Sequence, residues 1–305
     1  MQKPDEKNLK PNETDLKLAQ LFEKLAAKVR RIERLVEKAS ENATYQQVGQ
    51  YDRAFDKHYA QINRLRKAIC NNTPQIDAYK AAWHPAAFAS HVLPYAFQKA
   101  IDMYTRKKLQ RLGEETRIKP VEEYKRAALP EVRAAKYNCK AFAKYYARNM
   151  AARKLDVKKL LEEVSAGSPH TLFEATQKLT VNGDWHLLFK VVRDLHGNAE
   201  KATEPLDDAG RIRITARPAG GHVIIRVEDN GPGVPEKLLA QGAMRFGKTA
   251  RMDPGITTGT GTGLKTGREI AERHGGTLEY AGAGIGGKGA AFELRLPQAK
   301  PRRKR

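Results

Sequence analysis

The 305-residue chain holds two cysteines, Cys70 and Cys139. Neither belongs to a Cys-x-x-Cys or Cys/His spacing, which excludes a disulfide framework and a zinc site and fits a reduced compartment. Long apolar runs are also missing. None approaches the roughly 18 residues that span a bilayer, and the opening MQKPDEKNLKPNETD has no apolar stretch of the signal-peptide kind. The expected location is therefore cytoplasmic. Acid is in shortest supply: 35 Asp/Glu face 56 Lys/Arg, a net charge of +21. The deficit is local. The first 160 residues carry 34 basic against 18 acidic side chains, residues 161–299 carry 17 of each, and the terminal KPRRKR adds five basic ones. Two electrostatic regimes imply two functional parts. The basic parts suit an acidic partner, whether nucleic acid, an acidic protein or an anionic membrane surface, or else a well-solvated helical surface.

Periodicity organises the first half. Leu18, Phe22, Leu25, Val29, Ile32, Val36 and Ala39 recur at alternating steps of four and three, a heptad seam on a helix over 15–39 capped by Thr14 or Asp15. Val48, Tyr51, Phe55, His58, Ile62, Leu65 and Ile69 form a second seam. The pair predicts an antiparallel helical hairpin over 14–71, packing on itself or on a second subunit. Residues 1–13 are expected to be disordered. NNTPQ at 71–75 breaks the pattern. A basic helical region over 72–154 follows, with Pro94 in a stretch at 86–112, and Pro130 and the cluster YNCKAFAKYYARN in a stretch at 120–153. It is a candidate dimerisation or phosphotransfer module.

After Leu155 the pattern mixes. LDVKKLLEEV is a short amphipathic helix, LFEATQKLTVNGD a strand ending in a turn, and Trp185 to Thr203 a strong helix. RIRITARP and HVIIRVED alternate around AGG as a hairpin. PEKLLAQGA is a short helix, MRFGKTARMDPGITTGTGTG a long loop, and LKTGREIAERHGG a helix ended by Gly275. TLEYAGA and GAAFELRLP close the chain as strands. The expected class is α+β: an all-α, coiled-coil-like basic region, then a two-layer unit over 155–297 with a mixed, mostly antiparallel sheet and helices on one face. Residues 298–305 form a basic disordered tail.

Three elements of that unit carry chemistry. On the helix WHLLFKVVRDLHGNAEKATEP, Leu188, Val191, Val192, Leu195, Ala199 and Ala202 make an apolar stripe. Asp194, Asn198 and Lys201 line its edge. A carboxylate, an amide oxygen and an ammonium in a row suit a Mg2+-bound polyphosphate, or simply a solvated helix edge. In VEDNGPGVP, Asp229 ends a strand where an acceptor can take an exocyclic amine. Gly231 and Gly233 beyond it permit a sharp turn and a close approach to a flat ligand. In TGTGTGL, Thr260, Gly261, Thr262, Gly263 and Leu264 open a helix whose backbone N–H groups can hold an anion, with Lys248, Thr249 and Arg251 just before.

The order of these pieces is more specific than any one of them. A helix with Asn198, a strand running into DNGPG, a long loop, GTGL, a helix ending HGG and then GKGAAFELRLP together resemble the GHKL, or Bergerat-fold, ATPase superfamily, most of all the histidine kinase-like ATP-binding domain. The resemblance covers about residues 155–297 and implies ATP and Mg2+ as ligands. It implies that Asn198 coordinates Mg2+, that Lys201 contacts phosphate, that Asp229 binds the adenine amino group, that Gly231 and Gly233 floor the adenine pocket, that Gly261 and Gly263 meet the phosphates, and that 242–260 is a lid.

A histidine kinase also needs an acceptor histidine on a helical hairpin. The candidate is His91 in ASHVLPYAFQ, although Val92 stands where the family has an acid and Pro94 comes early. His58 sits on a seam, where burial is expected, and His170 is close to the ATP-binding segment. Asp194 points the other way. In the gyrase and MutL branch an acid four residues before the Mg2+-binding Asn activates water, whereas kinases commonly have Asn there. Three functions stay open: a histidine-kinase-like protein with Mg-ATP-dependent phosphoryl transfer in two-component signalling, with a homodimer and a response regulator or other acidic protein as partners; a nucleic-acid-associated ATPase that closes a dimer; and a nucleotide-binding scaffold or anti-sigma-like binder.

Overall fold

The computed structural model describes residues 11–38, 45–72, 121–166, 168, 170–175, 178–234, 236 and 263–299. The chain divides into two compact units, Lys10–Asn149 and Met150–Arg305, the latter together with Met1–Leu9.

The first unit is helical: α1 (Glu13–Lys38), α2 (Tyr45–Asn71) and α3 (Val121–Tyr146). Asn12, not Thr14 or Asp15, caps α1, because its Oδ1 accepts the Asp15 N–H at 2.7 Å. Glu13 and Asp15 then fall in the first turn, where the helix dipole favours acid. The α1 seam from Leu18 to Val36 is buried inside the chain, in one core with Phe55, Ile62 and Ile69 of α2 and with Val132, Cys139 and Phe142 of α3. Phe22 stacks on Phe142 at 4.8 Å, while Glu33, near the other end of α1, pairs with Lys136 at 2.6 Å and Arg133 at 3.2 Å. Those pairings make α1 and α3 antiparallel. Ala39 and the side chains of Val48 and Tyr51 lie outside the described residues, as does the stretch with Pro94.

The helix expected to reach 153 stops at Tyr146. Arg148 turns left-handed (φ 49), and the Asn149 N–H donates to the Lys144 carbonyl at 3.0 Å, a Schellman ending without its usual glycine. The chain then extends into β1 (Arg153–Asp156), a strand that the basic periodicity masked.

In the second unit β1 is followed by α4 (Val157–Ser165), β2 (Thr171–Ala175), β3 (Thr180–Gly183), α5 (Trp185–Thr203), β4 (Ile212–Ala219), β5 (His222–Asp229), α6 (Gly263–Arg273), β6 (Thr277–Tyr280) and β7 (Ala291–Pro297). The single strand expected over LFEATQKLTVNGD is two, in different sheets. β2 pairs in parallel with β4, and β3 pairs antiparallel with β1. The main sheet has the order β2-β4-β5-β7-β6, with every other pairing antiparallel. Gly220 and Gly221 join β4 to β5 with φ of +55 and +75, the type I′ turn that a two-residue hairpin prefers. Alternation along the strands puts Ile214, Ile225 and Leu294 in the core, against which α4, α5 and α6 pack. The opposite face carries an ion-pair lattice: Arg213–Glu228, Arg226–Glu228 and Arg226–Glu293. Asp184 caps α5 by accepting the His186 and Leu187 N–H groups, and Gly275 (φ +71) ends α6. Among the described residues no helix is long and apolar enough to cross a membrane.

Candidate functional site

Asp229 is the last residue of β5 and only 5% exposed. Its Oδ1 accepts the Gly231 N–H at 2.9 Å and the Ala290 N–H at 3.3 Å, and its own N–H donates to the Ala290 carbonyl at 3.0 Å. Oδ2 has no hydrogen bond among the described residues. Burial raises the acid above its ordinary range, the two N–H donors oppose that rise, and neighbouring Glu228 adds to it. The Gly-rich run 282–289 forms the surrounding wall. A Cβ on Gly284 or on Gly289 (φ +67) would collide with the Asp229 backbone.

Gly231 and Gly233 have a further reason besides the turn and ligand approach expected. A Cβ on Gly231 would lie 2.7 Å from the Ala202 carbonyl oxygen, and one on Gly233 (φ +79) 2.8 Å from that of Gly289. Both glycines are demanded by the protein's own packing. The Gly231 contact holds the Asp229 turn against the last turn of α5.

Helix α5 presents the polar row. Asn198 and Lys201 are exposed, and Asp194 is half-buried. Ala202 belongs to the edge of the stripe, since it is only partly covered, whereas Thr203 is buried and donates to the Ala199 carbonyl at 2.9 Å. Asp194 is not unaccompanied: Lys190, 6% exposed, reaches both its oxygens, at 3.0 and 2.8 Å. Gly263 begins α6 beside it, a Cβ there lying 3.4 Å from Asp194 Oδ2. Leu264 is buried and packs in the core. Lys248, Thr249, Thr260, Gly261 and Thr262, the loop 242–260, PEKLLAQGA apart from Glu236, and His91 lie outside the described residues. His58 is half-buried on α2 and held below its ordinary value by burial and by Arg31 and Lys28, while His170 is exposed just before β2.

Two other histidines brace this framework. His274, at the end of α6, donates from Nδ1 to the Ile270 carbonyl at 2.7 Å and accepts the Asp184 N–H on Nε2 at 3.0 Å. It ties the end of α6 to the cap of α5. His196 is fully buried. Arg193 donates to its Nδ1 at 2.9 Å, so Nε2 carries the proton toward Thr171 Oγ1 at 2.8 Å. Burial and then Arg193 lower it to about 3.

Sequence reasoning passed over Lys190, although its place four residues before Asp194 was a visible signal. It also passed over the wall of Gly284, Gly289 and Ala290, which the dense glycines announce but whose target only the fold reveals.

The sequence model of the family described as histidine kinase-, DNA gyrase B-, and HSP90-like ATPase matches residues 183–300. These residues are an ATPase domain of that family. Curated proteins are also similar over part of the chain. Signal transduction histidine-protein kinase AfsQ2 of Streptomyces coelicolor is 38% identical over 108 residues, 35% of this chain and 19% of its own length. Sporulation kinase A of Bacillus subtilis is 31% identical over 163 residues, 50% of this chain and 25% of its own. The chain thus spans a quarter or less of these relatives. Among solved structures, the ATP binding domain of PrrB from Mycobacterium tuberculosis is 22% identical, with a TM-score of 0.37, over 49% of this chain and 98% of that one.

Proposed function

We propose that the second unit binds Mg-ATP and serves as the nucleotide half of a histidine-kinase-like phosphotransferase. The observation that carries this reading is the turn at Asp229. Among the described residues a buried carboxylate keeps one oxygen without a partner, and Gly231 seats that turn on the helix that displays Asn198 and Lys201. An amine at one end and a polyphosphate at the other would both find their complement there.

In this reading Asp229 Oδ2 accepts from the adenine amino group, Gly231 and Gly233 shape the floor, Lys201 offsets phosphate charge, and the segment Thr260–Leu264 with Lys248 and Thr249 receives the phosphates at the start of α6. Asn198 gives Mg2+ one neutral oxygen. An ion held chiefly by phosphates and water asks for no more, and among the described residues no group of three or more His, Cys, Asp or Glu forms a metal cage. The relatives named above are kinases by title, which supports phosphoryl transfer over a purely binding role. His91 remains the proposed acceptor, with a homodimer, a response regulator or other acidic protein, and two-component signalling in the cytoplasm as its proposed setting. Because the α1 seam is spent inside the chain, dimer contacts would use other faces. The basic first half and tail support a second reading, an ATPase associated with nucleic acid, whose binding must weaken steeply with salt.

The test is incubation of the full chain with γ-labelled ATP and Mg2+, following protein-bound label and free phosphate separately. Acid-labile, alkali-stable label that disappears in His91→Ala, Asn198→Ala and Asp229→Ala supports the kinase. Undiminished labelling or ATP binding in Asp229→Ala would remove the pocket assignment.

A further inference from the structure

Lys190 lies one turn before Asp194 on α5, and its ammonium contacts both carboxylate oxygens, at 3.0 and 2.8 Å. The lysine side chain is 8% exposed and the aspartate 23%. This is no loose surface bridge, because a charge so covered needs a partner to offset the loss of water. The acid end lies next to the first residue of α6, within 3.4 Å of where a Gly263 Cβ would stand. A carboxylate at the edge of a phosphate site can act as a base on water. An ammonium that occupies both of its oxygens competes with water for that acceptor.

We infer that Lys190 is a positioning residue that withholds Asp194 from water activation, so that bound ATP keeps its γ-phosphoryl group for transfer. The inference rests on the ATP-site reading above. In the suppressed reaction a water oxygen bonds to the γ-phosphorus, the bond from that phosphorus to the ADP oxygen breaks, and the water proton passes to Asp194. The contact with Lys190 opposes the last event and leaves the first two without a proton acceptor.

The experiment compares free phosphate release by the full-length wild type, Lys190→Met, Lys190→Arg and the double variant Lys190→Met/Asp194→Asn, with labelled-ATP binding measured by equilibrium dialysis. Lys190→Met is expected to raise phosphate release about tenfold, because both Asp194 oxygens are then free to take a water proton. ATP binding is retained. Lys190→Arg keeps the low wild-type rate, and the double variant loses the gain. Should circular dichroism show Lys190→Met unfolded, Lys190→Gln, which keeps a donor but no charge, takes its place. Phosphate release that stays level or falls in a folded variant that still binds ATP overturns the inference. Failure of the wild type itself to bind ATP overturns the site reading instead.

Discussion

Protonation of His196 is the perturbation whose size the structure sets most directly. The imidazole is fully buried, and Arg193 donates to its Nδ1. Nearby are Thr171 Oγ1, bonded in turn to Ser168, and the Glu200 carboxylate at 3.5 Å, which is about a third exposed and too well hydrated to offset the burial. The folded group therefore titrates at about 3, against 6.5 when unfolded. A base with a depressed folded value is neutral in both states above pH 6.5. Below that pH the unfolded chain takes up the proton and the folded one does not. The stabilisation is thus complete above 6.5 and declines as pH falls toward 3. At pH 5 the unfolded imidazole gains about 2 kcal/mol by protonation, a sizeable part of a typical domain stability. Urea unfolding followed through Trp185, in a Trp83→Phe background, at pH 8, 7, 6 and 5 measures it. Wild type should lose about 2 kcal/mol more than His196→Gln between pH 8 and pH 5. His274, also lowered by burial, contributes equally to both proteins and cancels. Parallel pH curves for the two proteins would refute the buried, neutral assignment.

Gly231→Ala should destabilise the ATPase domain by about 1–3 kcal/mol, because its Cβ would sit 2.7 Å from a helix carbonyl oxygen that cannot yield. It should also weaken ATP binding by displacing the Asp229 turn, and an unchanged melting temperature would contradict the contact. Glu33→Ala leaves Lys136, whose side chain is 12% exposed, without its 2.6 Å partner and should cost the helical unit about 3 kcal/mol in urea unfolding followed by circular dichroism. A loss within error would mean that water reaches the lysine.

The main elements were legible because they rest on local rules. The heptads of α1 and α2, the β4–β5 hairpin around Gly220 and Gly221, the stripe of α5 and the glycine end of α6 all follow from periodicity and backbone chemistry. The errors fall where pairing is not local. β2 and β3 look like one strand until each finds a different sheet. β1 looks like more helix because its polar residues carry no alternation.

The sequence by itself determined the chemical inventory and its order: Asp194, Asn198 and Lys201 on one helix edge, Asp229 at a strand end, glycines before α6. Side-chain spacing on a helix or strand is set by the backbone's own period. Only the tertiary structure decided what each group meets. It spent one Asp229 oxygen on Gly231 and Ala290 and left the other without a partner among the described residues, set Gly231 against Ala202, and buried Lys190 against Asp194. Burial and charge pairing depend on neighbours distant in the chain, and these decide whether a carboxylate binds, catalyses or is held silent.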